Sequence, residues 1–435
     1  MDSSQTKNNY FKNSLWILLE KVSRIISGIL VGVLVARFLG PAQFGTISYA
    51  LSIIAIFTII STLGLDGLVV RELITRKERI NEILGTAFWL RFFGAILVVL
   101  LATSYSYLRD TPERVMIVFL ISISIVFQSI TVIDFYFQSQ VKGKYSAINQ
   151  IITLFLSAIV KLMLIYFQSP LIWFASMVVF ESVLTSILQL YFFKQQGYFI
   201  SNWSFSFDET KKLLFYSWPI IISAFIQMLY QKSNEILILR FLHDMDLVGQ
   251  YAAAVRISEA SYFIPVAIVA AVMPGIINTN DNKELQKERF IQLSSLLVWL
   301  SIVIIIGGLL FGDWIIGFLY KNKYYLSPGV FKIHIFSIIP SFFGTALGGW
   351  LIVQNRQKII TMLQIVNLVV YIPACFYLIP KYQINGAALA INVTYYFSLF
   401  IVCLFYNKGE LLKLFILSLN PKHIKNVVLY IRKSK

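Results

Sequence analysis

Charge is scarce in this chain, and so are the residues from which most catalytic and metal sites are built. Only 13% of the residues are Asp, Glu, Lys or Arg, against roughly 25% in a soluble domain, which excludes an ordinary water-soluble globule. Cysteine occurs twice, at Cys375 and Cys403, both inside apolar runs. Neither a disulfide framework nor a C-x-x-C motif can be assembled from them. His243, His334 and His423 are scattered, and no H-E-x-x-H, G-x-x-x-x-G-K-[ST] or strand-linked G-x-G-x-x-G pattern occurs. No metal and no cofactor is therefore expected. With no phosphate-binding loop, ATP is not expected as an energy source.

What remains is apolar: 58% of the 435 residues are hydrophobic and the mean hydropathy is +0.74. The expected class is an all-α, polytopic membrane protein. A hydrocarbon core about 30 Å thick needs about 20 apolar residues per helix. That ruler predicts twelve spans, near 15–36, 44–65, 84–107, 115–137, 148–168, 170–193, 213–239, 249–275, 291–319, 330–353, 359–379 and 386–406. The polar start, MDSSQTKNNYFKNS, has no small-residue cleavage site behind it and does not read as a removable signal.

Orientation follows from the basic residues. With the N-terminus inside, 23 of the 37 Lys and Arg fall in cytoplasmic segments, seven on the opposite side and seven within spans. Both termini are expected in the cytoplasm. The same asymmetry accounts for the net charge of +16, so nucleic acid is not expected as a partner.

One join is written twice. RFLGPAQFG begins at Arg37 and RFLHDMDLVG at Arg240, each closing one span and opening the next. A second echo aligns QVKGKYSAINQI at 140–151 with QNRQKIITMLQI at 354–365, pairing Lys142 with Arg356, Lys144 with Lys358 and Gln150 with Gln364. Six spans return the chain to its starting side, so a six-plus-six duplication is a parallel repeat. The expected organisation is an N-terminal six-helix lobe (1–193), a cytoplasmic linker (194–212), a C-terminal six-helix lobe (213–406) and a basic cytoplasmic tail (407–435) containing an interfacial helix. Paired bundles of this kind are a common build of alternating-access transporters, with the substrate held between the repeats.

Charges within spans mark the candidate site, because each costs at least about 2.5–3.5 kcal/mol at the bilayer centre and normally faces a cavity or a partner. Glu20 with Arg24, Lys232 with Glu235 and Arg256 with Glu259 stand at helical pair spacing. Lys21, Lys161, Lys232 and Lys332 lie nearer an interface, where snorkelling suffices. Arg91 and Glu181 have no partner on their own helices and need another helix, water or ligand. The substrate-binding set is expected to be Arg24, Arg91, Arg256, Lys161 and Lys232, in a mildly cationic cavity lined with Gln, Tyr and Trp. Such a cavity suits an anionic, hydroxyl-rich substrate. Glu181 and Glu259 are the candidate coupling carboxylates. The small-residue patterns GILVG at 28–32 and GLLFG at 308–312 read as helix packing.

NSLWILLEKVSRIISGILVGVLVARFLGPAQFGTISYA at 13–50, the stretch at 318–358 and LIPKYQINGAALA at 378–390 resemble the Wzx-type O-antigen and polysaccharide flippases. Their superfamily, MOP, also holds multidrug exporters and the lipid II flippase. The resemblance implies two six-helix lobes around a cationic cavity, moving undecaprenyl-pyrophosphate-linked oligosaccharide across the bacterial cytoplasmic membrane. It also implies membrane lipids as surroundings, and a polysaccharide polymerase and chain-length regulator as protein partners. Two other readings stand beside it. A cation-coupled multidrug exporter should have a more acidic cavity and an unpaired acid in span one, where here Glu20 is flanked by Lys21 and Arg24. A polymerase or ligase should carry a large external loop, and none is evident.

Overall fold

The computed structural model describes residues 3–279 and 282–423, and among them there are helices and no strands. The helices are α1 (Ser3–Thr62), α2 (Asp66–Thr75), α3 (Ile80–Tyr107), α4 (Pro112–Gln128), α5 (Val132–Ser139), α6 (Gly143–Tyr166), α7 (Leu171–Gln195) and α8 (Phe207–Leu242). They continue with α9 (Met245–Glu259), α10 (Phe263–Ile277), α11 (Lys283–Tyr320), α12 (Ser327–His334), α13 (Ile338–Val353), α14 (Gln357–Phe405) and α15 (Glu410–Ser418). Ten helical stretches among the described residues are long and apolar enough to cross a membrane. Two of these are broken within, α1 at Gly40 and α14 at Gln383, where the sequence places joins between successive spans.

The chain divides into two compact units, Met1–Ile236 and Leu237–Lys435, so most of α8 groups with the first. In the first unit α1 packs on α3 and α6, α4 on α3 and α7, and α2 on α5. In the second, α11 packs on α12, α13 and α15, and α9 on α12. The GLLFG pattern is a packing device: a Cβ at Gly308 would lie 1.9 Å from Ile335 Cδ1, and one at Gly312 2.8 Å from the Phe331 ring. Around Gly28, by contrast, a Cβ would meet nothing within 4 Å. Short α15 buries Leu411 and Leu414 against the second unit, and Trp299 donates to the Leu419 carbonyl at 3.1 Å. The remainder of the basic tail, from 424 onward, lies outside the described residues.

The repeated join now has a physical explanation. At the first copy Gly40 takes φ 74°, a conformation open to glycine, and Pro41 restarts the helix where a missing N–H costs nothing. At the second, His243 takes φ 56° and Asp244 caps α9 by accepting from the Asp246 amide at 2.8 Å. Different residues perform one operation: a left-handed step, then a helix start.

The second echo matches bond for bond. Lys142 N donates to Phe137 O at 2.8 Å and Arg356 N to Leu351 O at 2.7 Å. Val141 N reaches Gln138 O at 3.1 Å and Asn355 N reaches Ile352 O at 3.0 Å, with Val141 at φ 56° and Asn355 at φ 55°. This is a Schellman-type helix end, and a β-branched valine rarely accepts it.

Two of the expected spans in each compact unit are also interrupted. Leu63–Leu65 separates α1 from α2, and a 3-10 turn at Ser129–Thr131 separates α4 from α5. In the second unit, turns at Ala260–Tyr262 and Ile335–Ser337 separate α9 from α10 and α12 from α13. Backbone groups freed inside a bilayer need internal partners, and neighbouring hydroxyls supply some of them. Ser129 donates to Val126 O at 2.6 Å, Thr131 to Gln128 O at 2.7 Å and Ser337 to His334 O at 2.7 Å.

Candidate functional site

The interruptions bring polar side chains together. In the first unit a cavity of about 300 Å³ is lined from six helices, and Arg24, Arg91, Glu20, Asp66 and Asp134 are its charged residues. Arg91, on α3, is the most enclosed of them, with 7% of its side chain exposed; it pairs with Asp66 Oδ1 at 3.8 Å, and Asp134 also acts on it electrostatically. The Phe135 ring lies 5.4 Å from its guanidinium carbon, a cation–π distance. Its buried Nε has no hydrogen-bond partner. Arg24 pairs with Glu20 at 2.5 Å, the i,i+4 pair expected from the sequence. Asp134 accepts from Gln138 Nε2 at 2.7 Å and from the Ser146 hydroxyl. Gln150 and Gln189 complete the amide lining, and Gln189 Oε1 is buried without a partner.

The lining thus offers two guanidinium groups, three carboxylates and several amides. It is formally one charge negative, where the sequence suggested a cationic cavity, and Phe135 is its one aromatic residue, where Tyr and Trp were expected. One of the three carboxylates follows from the broken span: the helix restarts at residue 66 and brings Asp66, itself 69% exposed, into the cavity lining.

The other expected residues lie elsewhere. Lys161 and Glu181 form an ion pair at 2.6 Å between α6 and α7, and the Ser157 hydroxyl also donates to Glu181. Glu181 therefore finds its partner on another helix, and Lys161, read as a snorkelling residue, is that partner. Lys332 is likewise paired, with Asp313 at 2.6 Å. Lys232 is half-buried on α8. Arg256 and Glu259 belong to the second unit, Arg256 exposed and Glu259 half-buried just before the turn at 260–262.

That turn adjoins a polar cluster the sequence did not reveal. Ser258 Oγ lies 2.7 Å from the Nδ1 of His334, whose side chain is buried. Tyr262 Oη lies 2.7 Å from Ser337 Oγ. Only the placement of serines and a histidine within apolar runs hinted at it.

A third feature is structural. At the corner between α2 and α3, Arg76 grips Glu209 with both terminal nitrogens, Nη1 to Oε2 at 2.8 Å, and reaches Glu72 at 2.6 Å. Lys212 donates to Glu72 at 2.8 Å. The bond to Glu209 raises the Arg76 pKa further above its ordinary value, so this cation stays charged at any working pH.

Residues 10–280 match the family described as polysaccharide biosynthesis protein. The chain belongs to that family. A Shigella flexneri protein named as an O-antigen transporter is 23% identical over 399 residues, covering 88% of this chain and 94% of that protein. Solved structures share the fold: the lipid II flippase MurJ in an inward closed conformation has a TM-score of 0.76 at 13% identity, covering 97% of this chain and 93% of that one. An inward-facing multidrug resistance MATE transporter of the MOP superfamily gives 0.70 at 12% identity, covering 91% and 95%. Within the polysaccharide biosynthesis family, this chain is a multi-pass membrane protein of MOP-type fold.

Proposed function

We propose that the protein is a flippase that moves undecaprenyl-pyrophosphate-linked O-antigen or related polysaccharide units across the bacterial inner membrane by alternating access, and that it is not an enzyme. In this reading each broken stretch crosses the membrane twice, giving twelve crossings in two six-helix lobes with both termini cytoplasmic. The observation that carries it is Arg91, a buried guanidinium lining a hydrogen-bonding cavity inside an apolar helical bundle of this family. Guanidinium forks bind phosphate, and the amide-rich walls match sugar hydroxyls. Deleting the gene in its host should abolish surface polymer while lipid-linked repeat units accumulate, and the intact gene should restore both. Normal surface polymer in the deletion strain would end this reading.

The acidic side of the same cavity, with Glu20, Asp66 and Asp134, favours a second reading as a cation-coupled multidrug exporter. Under it the deletion strain keeps its polymer and becomes sensitive to cationic drugs.

For coupling, Glu181 and Glu259 remain the proposed carboxylates. Glu181→Gln or Glu259→Gln is expected to abolish gradient-driven transport in proteoliposomes; full transport in both variants would remove these residues from the coupling step. Interaction with a polysaccharide polymerase and a chain-length regulator belongs to the same proposal.

A further inference from the structure

Beside the polar cavity the first unit holds a larger one, about 660 Å³, with predominantly apolar walls. Ala55, Thr58 and Ile59 of α1 line one side and Ile220, Ala224 and Met228 of α8 the other. Both sets recur at three- or four-residue spacing, so each is one helix stripe. The α8 stripe, continued to Tyr216, runs for about 18 Å at 1.5 Å per residue. Small residues keep the slot open, with Gly64 and Gly67 in its lining as well. It is one slot, which fits a single chain better than the two of a phospholipid.

The ends differ. Arg71 and Tyr216 stand at one of them, the guanidinium carbon 5.9 Å from the ring centroid. Near it Arg71, Arg76 and Lys212 share the carboxylates of Glu72 and Glu209, three cations against two anions. The surplus positive charge is most accessible at Arg71, whose side chain is 60% exposed against 19% for Arg76 and 37% for Lys212. Asp66 lines both this slot and the polar cavity, so the two adjoin. An amphiphile with one long apolar chain, a phosphate and a hydroxylated head would find apolar walls, a cation and an amide-lined cavity adjoining one another.

We infer that the slot between α1 and α8 holds the polyprenyl tail of the lipid-linked substrate, with the tail-proximal phosphate of its diphosphate at Arg71 and the distal one left to Arg91. This rests on the flippase reading above and adds the tail-binding site to it.

The test uses the full-length protein in phosphatidylcholine nanodiscs and a polyprenyl monophosphate carrying a diazirine on its tail, with labelled peptides mapped by mass spectrometry. Labels are expected within 55–71 and 216–228, displaced by unlabelled polyprenyl phosphate and resisted by phosphatidylglycerol. Thr58→Phe and Ala224→Phe fill the slot from opposite walls, and each should lower labelling at least about tenfold with the thermal midpoint unchanged. Arg71→Gln should weaken binding about tenfold through loss of a charged hydrogen bond. Should both filled variants unfold, the label map of the unaltered protein decides alone. Equal displacement by phosphatidylglycerol would make the slot a general lipid site and overturn the inference. Saturable labelling confined to other segments overturns the slot while sparing the flippase reading; no saturable labelling anywhere counts against both.

Discussion

Arg91→Met is expected to cut export of surface polymer tenfold or more while leaving the protein as stable as before, or more so. The side chain is 7% exposed, its nearest carboxylate, 3.8 Å away, belongs to Asp66, itself 69% exposed, and Asp134 acts on it without forming an ion pair within 4 Å among the described residues. Asp66 can be solvated without Arg91, but Arg91 cannot be solvated without a partner. Desolvating a guanidinium costs several kcal/mol, and apolar replacement of a buried ionic group is often neutral or stabilising by about 1–4 kcal/mol. The backbone at this point is tied independently, since Ser61 donates to the Arg91 carbonyl at 3.1 Å. A structural clamp would therefore be a poor use of this residue, whereas an incoming phosphate would supply the missing counter-charge. Each charged hydrogen bond lost is worth about 1.5–3 kcal/mol, so export should fall tenfold or more. Arg91→Lys, which keeps the charge and loses the planar fork, should fall between. The measurements are surface polymer in the complemented deletion strain and the thermal midpoint of purified protein. If Arg91→Met melts well below the unaltered protein and export falls only with protein level, Arg91 is structural and the binding assignment goes with it.

The parts of this architecture legible in the sequence are those written locally. Composition marks the membrane class, and the repeated joins are visible because helix ends depend on a few adjacent residues: Gly40 with Pro41, Asp244 with Asp246, and the paired steps at Val141 and Asn355. The i,i+4 pair of Glu20 and Arg24 is local too. Glu181 was legible only as a need: its partner sits twenty residues away on the neighbouring helix, and no periodicity names it. The broken spans were not legible at all, because the Leu63–Leu65 step is apolar apart from one glycine and a 20-residue ruler stops there. Missing that break hid Asp66, one of the three carboxylates of the cavity. His334 escaped for a related reason, since its partner Ser258 is 76 residues distant.

The same non-local logic gives the second large effect, at the linker. Glu209→Ala should destabilise the protein by about 3–5 kcal/mol, the usual cost of removing one member of a buried ion pair and stranding the other. Glu209 is 2% exposed and Arg76 19%, too enclosed for water to replace the lost bidentate contact fully. The loss would also spread: Glu72, 7% exposed, is held by both Arg76 and Lys212, so a freed Arg76 unsettles that contact as well. Other bonds fix the linker to the same corner, with Ser206 N on Thr86 Oγ1 at 3.1 Å and Ser204 so close to Gly85 that a Cβ there would lie 2.4 Å from its carbonyl oxygen. Gly85→Val, which touches no charge, should therefore produce the same phenotype as Glu209→Ala, release of the linker. Limited proteolysis around 196–206 reads that release directly, and the thermal midpoint reads its cost. The charge swap Arg76→Glu with Glu209→Arg should recover only part of the stability, because it sets two carboxylates, Glu72 and the new one, beside each other. Unchanged melting and unchanged proteolysis in Glu209→Ala would mean that the corner is held by backbone contacts alone.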